Sequence, residues 1–290
     1  MDVVKVRTGN KFFRWRRPLI VGGFVFTALM WGYIIYLGSI PASDWRSNYL
    51  PTVQDLLRGN SPYIGHSAFN PFWTYILLVP FSLLPPVLGH VAIGITCMVV
   101  FGFVGYRLGA KPLPLAMLIF TPQLIFLSRN GGIDWMVVLG FILPPQIGLF
   151  FVLIKPQIGI CVAVFWLIEA WRKGKLREVF RVFTPICVGY TVGYAIFGID
   201  AIWRGSQFIG TEYPWDATTF PFTIPIGLVL LVFAIRSRDL KFAIPASPFI
   251  APYVAFYSWP ASLLSIVSEP WLMAAAWFGM WITTIFTLQF

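Results

Sequence analysis

Long apolar runs, broken at short intervals by polar or Pro- and Gly-bearing stretches, fill the chain from residue 19 to its C-terminus. Crossing about 30 Å of hydrocarbon takes roughly 20 apolar residues as a helix. Taken in order, the runs predict spans near 19–40, 71–86, 88–107, 112–128, 135–153, 157–171, 182–200, 222–236, 242–265 and 270–288. A spanning segment must satisfy its backbone internally and period-two alternation is absent, so these elements are predicted to be helices. Proline and glycine interrupt several runs, as in VPFSLLPP, ILPPQ and IPASP, which permits kinked, re-entrant or half-spanning helices. The fold class predicted is all-α: a polytopic membrane protein of about ten transmembrane or re-entrant helices, forming a single membrane domain over residues 1–290.

Between the first two runs lies a polar stretch, SDWRSNYLPTVQDLLRGNSPY, residues 43–63. Within it Leu50, Val53, Leu56 and Leu57 recur at helical spacing, Thr52, Gln54, Asp55 and Arg58 fill the other side, and Gly59-Asn60 supplies a stop. This predicts a short amphipathic helix lying on the membrane surface.

Composition agrees with the pattern: 58% of residues are hydrophobic, 11% are charged and mean hydropathy is +0.78, far too apolar for a soluble domain. The formal charge of +10 does not point to nucleic acid, because the basic residues sit in clusters between apolar runs. One cluster precedes the first run (Lys5 to Arg17), one follows WLIEAW (Arg172 to Arg181) and one follows VLLVFAI (Arg236, Arg238, Lys241). By the positive-inside rule these are cytoplasmic. Counting Arg129, about 15 of the 21 Lys and Arg then lie inside, with the N-terminus. The expected layout is a cytoplasmic N-terminal segment 1–18, an external loop 41–70, a cytoplasmic basic loop 172–181 and an external loop 201–221. The first run is longer than a secretory h-region and is read as a retained signal anchor. Cys97, Cys161 and Cys187 lie inside apolar runs without ligand spacing, as packing residues do.

Few residues can carry chemistry. Asp44 follows the first span by about four residues, at the expected outer boundary, where a carboxylate is either an ordinary solvated loop acid or a general base toward a lipid-borne substrate. Lys155 lies about 16 residues, roughly 24 Å of helix, before the basic Trp171-Arg172 edge, which places it in the outer half of the bilayer. A lysine at that depth either faces a cavity or an anionic partner, or snorkels to headgroups. Arg46 and Arg58 share the external face and can clamp phosphate or simply contact headgroups. Tyr49 and Tyr63 are candidates to stack on a sugar, although tyrosine also gathers at interfaces. Gln157 joins Lys155 as a candidate binding residue. Arg204, Glu212 and Asp216, among aromatics in the loop 201–221, are a candidate acceptor-side wall. Asp134 falls near the cytoplasmic end of its predicted span and is read as structural unless that span is re-entrant. His66 and His90 are read as satisfied polar residues. HExxH, paired-Cys metal sites, phosphate-binding glycine loops and serine nucleophile elbows are absent.

The order of these features, SDW with Tyr49, then LLRGNSPY, then NPFWTYILLVPFSLLPP, resembles the C-type glycosyltransferases that use polyprenyl-phosphate sugars, and among them glycosyltransferase family 87, the alpha-mannosyltransferase-like group. Asp44, Tyr49, Leu56, Leu57, Gly59, Pro62, Tyr63, Pro71, Pro80, Leu83, Leu84 and Pro85 carry the resemblance. It continues in NGGIDWMVVLG and LIKPQIGICVAVFWLIEAWRKGK and weakens in ASPFIAPYVAFY, where the family's His-Tyr pair is not matched: Tyr253 follows Pro252 without a histidine. The resemblance implies an inverting transfer of a hexose, on the family's pattern mannose, from a polyprenyl-phosphate carrier to an acceptor at the outer face. Asp44 would be the base, and Lys155 with an arginine would stabilise the departing phosphate. Nothing in the sequence requires a cofactor beyond that lipid-linked donor, and a divalent metal requirement stays open. The expected location is a bacterial plasma membrane. Two other readings stand beside this one. The first is a catalytically silent relative acting as an accessory subunit of a membrane complex, motivated by the short chain and missing histidine. The second is a transporter, disfavoured by the scarcity of ionisable residues in the spans.

Overall fold

The computed structural model describes residues 22, 25, 29–37, 43–64, 68–199, 216–218 and 220–288. The basic N-terminal segment, half of the first predicted span, His66, Arg204 and Glu212 lie outside the described residues. Among the described residues the structure is helical, with no strand beyond an isolated antiparallel bridge between Asp216 and Ala255.

Residues 29–37 are helical and touch the bundle along a narrow stripe: Gly32 and Ile35 are buried, while Tyr33, Ile34, Tyr36 and Leu37 face outward. A π-turn, Trp45–Tyr49, leads directly into α1 (Leu50–Leu57), and α2 (Phe72–Ser82) follows. Then come α3 (Pro86–Arg107), α4 (Pro112–Ile119), α5 (Pro122–Asn130), α6 (Asp134–Gly140), α7 (Pro145–Val152) and α8 (Pro156–Phe197). The chain closes with α9 (Ile224–Ser237), α10 (Leu240–Ile250), a 3₁₀ turn Phe256–Ser258, α11 (Pro260–Leu263) and α12 (Pro270–Leu288). Prolines begin most of these helices, where the missing N–H costs nothing. By length and composition α3 and α8 can cross a membrane, and the pair α4–α5, bent by 52°, counts as a third if read as one span. Helices α2, α6, α7, α9 and α10 have 7 to 14 residues, each too short to cross about 30 Å unaided. Their outward faces carry Leu, Ile, Val and Phe, the reverse of a soluble surface.

The predicted helix after residue 49 is present as α1, with Leu50, Thr52 and Val53 buried and Leu57 turned outward, and it stops at Gly59, whose φ is 83°. Two predicted crossings are not crossings. The segment 71–86 begins beside α7, where Asn70 Nδ2 donates to the Ile154 carbonyl and Trp73 Nε1 to that of Phe150. It ends beside Asp44, where the Trp45 indole donates to the Pro86 carbonyl at 3.2 Å. Both ends therefore lie at the Asp44 end of the bundle. The segment 135–153 is a hairpin: α6 descends only about 10 Å, turns at Ile142-Leu143-Pro144, and α7 returns about 12 Å. Gly140 and Gly148 make that hairpin possible, because a Cβ on Gly148 would stand 2.8 Å from the Gly140 carbonyl and 2.5 Å from the Trp166 ring.

The segment 172–181, predicted as a loop, is helical except at one sharp reversal. Helix α8 is broken at Gly174 and Lys175, the latter with φ 51°, so that its second half runs back along the first. The return is visible at its far end, where Tyr190 packs on Trp73 at 4.9 Å and a Cβ on Gly189 would touch Phe150. The predicted span 242–265 is also broken: α10 ends at Ile250 and residues 251–255 are non-helical. Cys97 and Cys161 are buried as expected; Cys187, on the second half of α8, is exposed, and all three are free.

Candidate functional site

The chain around Asp44 is anchored on both sides. Ser43 is fully buried, its carbonyl accepts from Ser47 N at 2.9 Å and from Ser47 Oγ at 2.5 Å, and its hydroxyl accepts from Arg46 N. Trp45 is fully buried against Gly89 and Gly131. Gly131 has φ 70°, and a Cβ there would lie 2.6 Å from Trp45 Cβ, so both backbone and space demand glycine. The π-turn that follows, in which Leu50 N–H reaches the Trp45 carbonyl, widens the helix next to the carboxylate.

Asp44 is partly buried and has partners from two distant parts of the chain. Its backbone N–H donates to Asn130 Oδ1 at 3.0 Å, and its Oδ2 accepts from the Tyr257 hydroxyl at 3.1 Å. Burial pushes the carboxyl above its ordinary value, while the Lys155 charge and hydrogen bonds from Tyr257 and Asn130 pull it down. Tyr49, almost fully buried, stands within electrostatic reach of Asp44; burial and then that charge hold its phenol well above the usual range, so it stays neutral.

Lys155 is the residue before Pro156, where α7 has ended and α8 has not begun. Its side chain is 9% exposed, which excludes snorkelling to headgroups, and it forms an ion pair with Asp134, which is fully buried. Asp134 also accepts a 2.6 Å hydrogen bond from Ser258 Oγ through Oδ2. Lys155 Nζ lies 5.3 Å from the centre of the Tyr257 ring. Tyr257 and Ser258 thus join two acids: one bonds Asp44 and the other Asp134.

Asp134 is not at the end opposite Asp44, as its predicted span required. The NGGID turn connects α5 to α6 at the Asp44 end, with Asn130 reaching Asp44 and Asp134 reaching Lys155. Because α6–α7 is a hairpin, both Asp134 and Lys155 stand at its mouth. Arg129 moves with them: its carbonyl accepts a 2.7 Å hydrogen bond from His90 Nε2, and it belongs to this end too.

The other predicted residues divide. Arg46 is partly buried within electrostatic reach of His90, and its Nε, like that of Arg129, is buried without a hydrogen-bond partner. Two guanidinium groups with orphaned donors, one two residues from Asp44 in sequence and the other next to Asn130, are suited to an anionic ligand. Arg58 points away, 69% exposed and paired with Asp55 at 3.2 Å. Tyr63 is buried, edge-on to Tyr75 and Phe197, with its hydroxyl on the Asn70 carbonyl; it pins the loop and offers no face to a ligand. Gln157 lies partly exposed in the first turn of α8 and makes no hydrogen bond or ion pair among the described residues. Asp216 holds the non-helical segment, its Oδ1 accepting from Val254 N at 3.1 Å and Thr218 N at 3.0 Å. Among the described residues no three His, Cys, Asp or Glu side chains gather as metal ligands would.

Comparison with known protein families, curated proteins and solved structures finds no match to this chain. The roles of these residues therefore rest on their geometry.

Sequence reasoning missed Tyr257, Ser258, Asn130 and Arg129, and undervalued Asp134. The available signals were a lone acid in an apolar run, which in a membrane is functional by default, and prolines 245, 248, 252 and 260, which prevent a continuous helix. A buried ion pair has a sharp mutational signature. Asp134→Leu or Lys155→Met alone should each destabilise the fold by about 3–5 kcal/mol, while the double replacement should recover most of the loss. Unfolding in detergent, followed as a double-mutant cycle, measures this, and additive losses would contradict the pairing.

Proposed function

We propose that the chain is an integral membrane glycosyltransferase that moves a hexose from a polyprenyl-phosphate carrier to an acceptor hydroxyl, with inversion. Asp44 takes the hydroxyl proton, the acceptor oxygen attacks the anomeric carbon, and the bond from that carbon to the phosphate oxygen breaks. The carrier leaves as the polyprenyl phosphate. Supporting this reading above all is the setting of Asp44: a carboxyl raised by burial, oriented by Tyr257 and Asn130, at one end of an apolar helical bundle. A raised carboxyl is a better proton acceptor than a solvated one. Lys155, neutralised by Asp134, acts on Asp44 through its field, which leaves Arg46 and Arg129 with their unpartnered Nε atoms to meet the leaving phosphate.

The orientation proposed is Asp44 outside and N-terminus inside, in a bacterial plasma membrane. With 71–86 and 135–153 no longer crossing, α3 leads away from Asp44 and α4–α5 leads back. Arg107 and Lys111 then join the basic end and Arg129 leaves it, which strengthens the charge asymmetry. The accessory-subunit reading draws on one observation, the locking of Lys155 onto Asp134. Stoichiometric co-purification with other subunits, together with no transfer activity, would favour it.

Asp44→Asn should lower transfer from a polyprenyl-phosphate hexose by at least about 100-fold in reconstituted vesicles. The fold should survive at neutral pH, because burial penalises the charged form and the amide removes that penalty. Full activity would sink the assignment. Tyr257→Phe keeps the ring under Lys155 but deletes a hydrogen bond that favours the carboxylate. The carboxyl should rise further, so the ascending limb of the pH–rate profile should move to higher pH. An unmoved limb would show that Tyr257 does not set the state of Asp44.

A further inference from the structure

At the end of the bundle opposite Asp44 the same hairpin leaves a gap. Helices α6 and α7 reach only about 10–12 Å from their mouth, whereas the first half of α8, residues 156–173, extends roughly 27 Å. Beneath the hairpin tip, where α8 reverses at Gly174-Lys175, a cleft of about 540 Å³ opens between both halves of α8 and the turn after α9. That volume falls within the range of small-ligand sites. One wall is apolar, formed by Pro144, Pro145, Trp166 and Val182.

The other side is cationic. Arg172, Lys173, Arg181 and Arg238 line it, against the two carboxylates Glu169 and Glu178. Glu169 holds Arg172 at 2.6 Å, and Glu178 is shared by Arg181 at 3.3 Å and Lys173 at 3.6 Å. Arg238 has no ion-pair partner among the described residues, and it sits at a left-handed position, φ 56°, between α9 and α10. The lining therefore carries more positive charge than its carboxylates neutralise; Glu178 pairs with Arg181, whose side chain stays 62% exposed, and the Ile235 carbonyl accepts from Arg172 at 2.6 Å. Guanidinium groups beside apolar side chains match a phosphate attached to something apolar.

We propose that this cleft is a second ligand site, separate from Asp44, that binds a phosphate group at the basic end of the bundle. The apolar wall fits a phospholipid headgroup with the start of its acyl chains; a soluble phosphate compound would use the arginines alone. The site does not depend on the transferase reading, since none of its residues touches Asp44.

Native mass spectrometry of the full chain, titrated with phosphatidylglycerol or phosphatidylcholine, tests the lipid source. Thermal unfolding with inorganic phosphate or pyrophosphate tests the soluble one. The wild type should retain one phosphatidylglycerol in preference to phosphatidylcholine. Arg238→Asn, chosen because asparagine tolerates the left-handed backbone, should weaken that binding about tenfold or more at unchanged melting temperature. Arg181→Gln should do the same, and Asp44→Asn should leave the binding as it is. Stabilisation by phosphate or pyrophosphate, lost in the same variants, would also support the site and assign it a soluble ligand. Absence of both, or binding indifferent to Arg238 and Arg181 in folded variants, would overturn it.

Discussion

A lysine and an aspartate buried together in an apolar bundle constrain almost everything around them. Neither charge is stable there alone, so the end of α7, the start of α8 and the start of α6 must meet at one place. That requirement turns α6–α7 into a hairpin whose mouth faces Asp44, and it recruits Ser258 to complete the shell of Asp134. The 3₁₀ turn that supplies Ser258 supplies Tyr257 as well, which bonds Asp44 and lies under Lys155. The ion pair thus fixes, through one residue step in the backbone, the hydroxyl that orients the proposed base. Irregular backbone is tolerated in such a bundle only where its polar groups find partners, and here Asp216 and Thr218 provide several.

The short hairpin has effects at both of its ends. At its mouth it concentrates Asp44, Asp134, Lys155, Arg129 and Arg46, all of them away from the basic clusters. At its tip it stops about halfway along α8 and leaves a cleft lined with arginine. A longer hairpin would have filled that cleft, and a single crossing in its place would have carried Asp134 away from Lys155. Glycine at 140 and 148 keeps the two arms close enough to fit between α3 and α8.

Much of this was legible in the residues. Hydropathy reveals a helical, apolar chain, the spacing of Leu50, Val53 and Leu56 reveals α1, and the isolated charges Asp44 and Lys155 stand out by type. Path was not legible. VPFSLLPP and ILPPQ are as apolar in a segment that turns back as in one that crosses, so 71–86 and 135–153 were read as spans. The two misreadings cancel in parity, which is why Lys155 still falls on the Asp44 side while Arg129 and Asp134, lying between them, do not. Tyr257 is 213 residues from Asp44, and no local pattern announces such a partnership. Tyr63 shows the opposite failure: its type suits a sugar-stacking role, but packing on Tyr75 and Phe197 removes it from any ligand.

In the proposed reaction the cluster at the hairpin mouth receives a lipid-borne phosphate near Asp44. A structure of the protein determined with polyprenyl phosphate tests it most directly. The phosphate is predicted within hydrogen-bonding distance of Arg46 or Arg129, with the Asp44 carboxylate facing the position of the missing sugar and the Lys155–Asp134 pair intact. A phosphate bound only elsewhere, or a mouth that stays closed at saturating lipid, would contradict it.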